Sequence, residues 1–158
     1  MKRNIYLDFS YLLLLSATFG AVIVLGAFVA PVIFHSDAIV SNMLIDHYNE
    51  GLIMTEIFNR FTYWLYALSI YVVVYEAMMY KNGQRDIILF GSSVGVIFTA
   101  LMFSSVYAPK IIQMQALGAE ATKSDTFANI HLASEIDFKI LAVSLVVLFV
   151  RRLMLMKI

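Results

Sequence analysis

The sequence predicts an all-α membrane protein: an up-and-down bundle of four transmembrane helices with helical extensions on the outer side. Composition is the first observation that leads there. The 158 residues are 61% hydrophobic and 14% charged, where soluble domains run about 45–50% apolar and about 25% charged. A water-soluble fold would leave much of that apolar surface wet, whereas lipid accepts it. The second observation is four apolar stretches, at about 11–34, 61–80, 87–107 and 127–150. Each reaches the ~20 residues that a helix needs to cross a ~30 Å hydrocarbon layer. The third is charge asymmetry. Lys2, Arg3, Lys81, Arg85, Arg151, Arg152 and Lys157, seven of the eleven Lys and Arg residues, fall on one side of the expected membrane. That side is cytoplasmic by the positive-inside rule.

The elements follow in order within one domain, 1–158. The span at 11–34 carries no charge. Its apolar run is longer than the ~7–15 residues of a signal-peptide core, so it reads as a retained helix. From 35 to 60 comes an outer segment. It reads helically from Ser41, with Ser41 or Asn42 as a cap, and continues into the second span despite Gly51. Glu76 is the one charge in the span at 61–80, and it reads as an interfacial residue near Lys81. KNGQRD is a tight turn, so spans two and three are antiparallel neighbours. Span three extends outward past Pro109 and turns near Gly118. Ser124 or Asp125 caps span four, which leaves the membrane at Arg151. Small residues at four-residue spacing, Ser16 with Gly20 and Gly91 with Gly95, allow close helix approach in lipid. Both termini are then cytoplasmic, in an inner membrane.

Zero net charge gives no field that would draw nucleic acid, and the absence of cysteine removes disulfides and thiol chemistry. No phosphate loop or nucleophile elbow is present, so the reading is not an enzyme and no catalytic residues are assigned.

Polar chemistry concentrates in the outer half. Counting ~1.5 Å per residue back from Arg151 puts His131 near the outer boundary and Ser134, Glu135, Asp137 and Lys139 within the bilayer's outer half. A charge at membrane centre costs at least ~2.5–3.5 kcal/mol, so these groups pair or face a wet cavity. His131, Glu135 and Lys139 share one helix face. Asp137 points elsewhere and calls either for a partner from another helix, with Arg60 as a candidate, or for a shorter, tilted span four that brings it to the headgroups. Arg60, Tyr63, Ser104, Ser105 and Tyr107 lie at comparable depth, with Asn59 and Glu56 just above, and together they complete an expected polar pocket; Glu56 and Arg60, four apart, also suit a plain helix-stabilising pair. His131 with Glu135, and His47 with Glu50, have spacings that suit a divalent metal. His35, His47 or His131 could ligate a noncovalent haem.

GAFVAPVIF, EGLIMTEIFNRFTYW, YAPKIIQMQ and FANIHLASEIDF together resemble the small four-helix membrane proteins related to transmembrane protein 205, a domain of unknown function, 4149. The matching positions are Phe34, Phe58, Arg60, Pro109, Phe127, His131 and Ser134. The sequence departs from that pattern around Asp137 and Phe138, where the family often has an asparagine. The resemblance implies a four-helix membrane fold without an established activity. It also implies a link to tolerance of metal-containing compounds. The expected function is ion or small-solute handling through the outer polar pocket. Alternatives are a haem- or copper-binding redox protein, and an assembly subunit docking a partner through 41–60. The expected partners are the lipid bilayer and a second copy or another membrane protein.

Overall fold

The computed structural model describes residues 5–39 and 46–156, and among these nearly every residue is helical and none is in a strand. Helix α1 runs Ile5–Phe34. It widens to π geometry over Val24–Val29. Pro31 explains the widening: it offers no N–H and its ring collides with the carbonyl four residues back. The N–H of Ala30 accordingly bonds Leu25, five residues back.

Helix α2, His47–Lys81, runs unbroken through Gly51. Asp46 caps it by accepting from the Asn49 N–H at 2.9 Å. The expected caps Ser41 and Asn42 lie outside the described residues. The turn that follows uses Gly83 at φ +89°, a conformation that favours glycine. Asp86 then caps α3, Ile87–Gln115, through the N–H groups of Ile88 and Leu89, both at 3.0 Å. A second π segment, Phe103–Tyr107, precedes Pro109 as the first precedes Pro31. After a short α4, Ala119–Thr122, Ser124 caps α5, Asp125–Leu155, from the Phe127 N–H at 3.2 Å.

Helices α1, α2 and α3 are long and apolar enough to cross a membrane. At 31 residues α5 is long enough, but Glu135, Asp137, Lys139, Arg151 and Arg152 interrupt its apolar run.

Cross-helix contacts descend in one helix as they ascend in the next. Between α1 and α2, Tyr75 bonds Asp8 and the Trp64 indole donates to Thr18 at 2.9 Å. Between α2 and α3, Tyr66 meets Ser105 at 3.0 Å and the Tyr48 hydroxyl donates to the Gln115 carbonyl at 2.7 Å. Between α3 and α5, Asp86 pairs with Arg151 and the Phe103 and Phe138 rings lie 5.1 Å apart. The core they enclose includes the fully buried Leu15, Leu65, Leu68, Val96, Leu141 and Leu145. Outward faces are apolar too, with Ile70, Phe90, Phe98 and Val143 each more than half exposed.

Lipid tails are as apolar as leucine, so close packing and polar contacts have to hold such helices together. Gly95 is where that shows. A Cβ there would fall 2.7 Å from the Ser144 hydroxyl and 3.3 Å from its Cβ, so any larger residue would force Ser144 to shift and glycine suits this close approach of α3 and α5. Gly20 and Gly91 have nothing within 4 Å of a Cβ position. Of the expected small-residue pairs, only the Gly95 position serves packing between these helices.

Candidate functional site

The expected pocket residues fall into three groups. Glu56 and Asn59 line a groove of about 310 Å³ between α2 and α3, together with Tyr48, Thr55, Ile112 and Gln115. His131, Glu135 and Lys139 form a ladder along one face of α5. The His131 Nδ1 lies 3.3 Å from Glu135, and the Lys139 ammonium 3.6 Å from its other oxygen. All three are substantially exposed, Lys139 at 74%. Ser134 and Asp137 belong to the third group, buried on the opposite side of α5. The Ser134 hydroxyl donates to the His131 carbonyl at 2.7 Å.

Arg60 is not the partner of Asp137. Its side chain is 79% exposed and its Nε donates to Glu56 at 2.8 Å, one turn earlier on the same helix. Tyr63 is exposed outward and Tyr107 is half-buried. The Oδ2 of Asp137 is buried without a hydrogen-bond partner, and so is the Oγ of Ser104.

His47 and Glu50 do meet, with Nδ1 3.1 Å from a carboxylate oxygen. Ser36 donates to the other oxygen, and Tyr48 ties the start of α2 to the end of α3. His35 is engaged with the Pro31 carbonyl at 2.9 Å. The His131–Glu135 and His47–Glu50 pairs each supply two ligands. Among the described residues no group of three His, Cys, Asp or Glu side chains could hold a metal ion.

A second polar constellation lies at the opposite end, where α2 turns into α3, and the sequence reasoning did not assemble it. Arg152 is 2% exposed. One terminal guanidinium nitrogen pairs with Glu76 and the other donates to Gln84 at 2.6 Å, while Nε is buried without a hydrogen-bond partner. The guanidinium carbon lies 5.1 Å from the Tyr75 ring centre and 5.9 Å from that of Tyr11, within cation–π reach. Those two rings stack at 3.8 Å and 9°. Tyr11 donates to Glu76 at 2.7 Å, and Tyr75 donates to the buried Asp8. Glu76 thus answers Arg152 and Tyr11, not Lys81. Beside this cluster Arg151 holds Asp86 at 2.6 Å. That hydrogen bond, helped by the Leu89 N–H, lowers the Asp86 carboxyl to about 2. A signal was available: Tyr11, Tyr75 and Glu76 are polar groups within apolar stretches, and such groups need partners. What was missing was that Arg152, one residue beyond an expected exit point, turns inward.

Helices of this length and composition, with apolar outward faces, define an all-helical protein suited to a membrane. Comparison with known families makes this more specific. The profile of a domain of unknown function (DUF4149) matches residues 13–120, so the chain belongs to that family. The matched region holds GAFVAPVIF, EGLIMTEIFNRFTYW and YAPKIIQMQ; FANIHLASEIDF lies beyond it. Curated proteins and solved structures give no match.

Proposed function

We propose that the protein is a polytopic inner-membrane protein, an up-and-down four-helix bundle with both termini cytoplasmic. Its outer end binds a small polar solute or ion in the groove between α2 and α3. The fourth crossing is supported by the outward face of α5, where Ile136, Ile140, Val143 and Val147 are exposed. The cytoplasmic assignment rests on the basic residues around the 82–86 turn and the end of α5. The relation to transmembrane protein 205 is part of the same proposal.

The groove itself carries the functional reading. It places the carboxylate of Glu56 and the amides of Asn59 and Gln115 against apolar walls from Leu52 and Ile112. Such a mixture suits a small ligand with a polar or cationic head and little apolar bulk. Tight metal handling is less well supported, because structural and catalytic metal sites use three or four protein ligands and each His–Glu pair offers two. Titration calorimetry of the purified chain with copper(II), zinc(II) and a set of small alkylammonium ions tests this reading. Binding by at least one probe, weakened in Glu56→Gln and Asn59→Ala, supports it. No binding by any probe, or binding that both variants leave unchanged, removes the groove as the site.

A further inference from the structure

Two buried oxygens without partners lie in neighbouring helices at one level of the assembly. Asp137 is 7% exposed and Ser104 3%, and Asp137 Oδ2 and Ser104 Oγ have no hydrogen-bond partner. Their sequence neighbours Phe138 and Phe103 hold ring against ring at 5.1 Å. A buried, unpaired carboxylate in a lipid-embedded helix is costly and marks a functional position by default.

Helical hydrogen bonding is interrupted near the same level. Pro109 has no N–H, so one carbonyl, of Ser105 four residues before it or of Ser104 five before it, loses its helical donor. The π segment Phe103–Tyr107 contains both. On α1, Pro31 withholds one donor from the carbonyl of Ala27 or Gly26 in the same way, within the π segment Val24–Val29. Gly26 faces Phe138, whose ring lies 4.0 Å from where its Cβ would be. Both interruptions of helical hydrogen bonding therefore reach Phe138, the residue after Asp137, that on α1 through Gly26 and that on α3 through Phe103. Irregular backbone at membrane depth is tolerated where it is buried in protein or lines a cavity, and transporters use such carbonyls to coordinate sodium.

We infer that Asp137, Ser104 and the proline-released carbonyl of α3 form a sodium site inside the bundle. The donors are all oxygen, which selects a hard cation. There is one carboxylate, so a single positive charge neutralises the site, whereas a divalent ion would leave a net charge in low dielectric. The neighbouring basic side chains are committed elsewhere: Lys139 to Glu135 and Arg60 to Glu56. The inference rests on the membrane reading and is independent of the groove.

Thermal unfolding of the purified full chain, followed by Trp64 fluorescence, tests it. Sodium chloride is titrated against choline chloride at constant ionic strength and neutral pH. Sodium raises the wild-type Tm progressively with concentration, as a ligand specific for the native state must. Asp137→Asn abolishes the sodium response. Ser104→Ala moves its midpoint upward by about tenfold, the scale of one lost interaction with a charged group. Glu120→Gln, which breaks the exposed pair of α4 with Lys123, keeps the wild-type response. Identical Tm in sodium and choline overturns the inference, as does a wild-type response in Asp137→Asn. Stabilisation by acid alone, lost in Asp137→Asn, also overturns it, since the carboxyl then holds a proton. Should Asp137→Asn not fold, Ser104→Ala decides, and an unshifted midpoint sinks the site. Failure here leaves ligand binding in the groove untouched, and failure of the groove variants leaves the sodium titration intact.

Discussion

At the 82–86 end, Arg152 is 2% exposed and sits among Glu76, Gln84, Tyr11 and Tyr75. At the His131 end, Glu135 is 47% exposed and reaches His131 and Lys139 on its own helix. Each region holds a carboxylate between two partners, but the physics differs. The first cluster joins α1, α2, the turn and α5, so breaking it strands a charge among helices that rely on polar contacts to stay together. The second pairs exposed neighbours along one helix, where such pairs contribute little. Charged residues at the two ends of the bundle therefore carry different weight according to how many helices they connect.

Arg152→Ala breaks the comparison at its strongest point. Leaving the partly buried Glu76 with Tyr11 as its one remaining partner in the cluster costs about 3–5 kcal/mol, measured as a fall in Tm in detergent. Arg152→Lys rescues little, because an ammonium cannot serve Glu76 and Gln84 in one planar fork over the stacked tyrosines. A smaller effect belongs to Tyr75→Phe. It leaves the buried Asp8 carboxylate short of one donor and costs about 1–3 kcal/mol in the same assay. An equal loss from Arg152→Ala and Glu135→Gln would erase the distinction between the two ends.

Asp86 sharpens the comparison through pH. Its carboxyl is depressed to about 2 by Arg151 and the Leu89 N–H. Its stabilising contribution is therefore complete above the ordinary carboxylate value of about 3.9 and fades as pH falls toward 2. Tm of the wild type should drop across that acid window, and Asp86→Asn should flatten the drop while lowering Tm at neutral pH. The smallest effect is expected at the exposed ladder. Glu135→Gln should change stability by less than about 0.5 kcal/mol, with the change shrinking further in high salt. A larger loss would mean that the His131 face meets a partner rather than solvent.

Much of the fold was legible in the sequence because apolar length, turn chemistry and capping are local properties. KNGQRD gave the turn, Ser124 the cap of α5 and Pro109 the outward continuation of α3. The π segments were not read, although Pro31 and Pro109 mark both, because a proline near a helix end reads equally well as a terminus. The site was less legible. Helical spacing placed His131, Glu135 and Lys139 on one face and separated Asp137 from them. It could not show that Asp137 would remain buried without Arg60.

By itself the sequence determined that the chain is helical, how long the helices are and that they suit lipid, since these depend on composition and on residues within a few turns of one another. Tertiary structure alone decided which charges are buried. Arg151 and Arg152 are adjacent and chemically identical, yet one holds Asp86 at a partly exposed turn and the other is enclosed beneath two tyrosines. Their 100° separation on α5 turns them toward different neighbours, and only the packing of α1 and α2 against that helix makes one of those directions the interior.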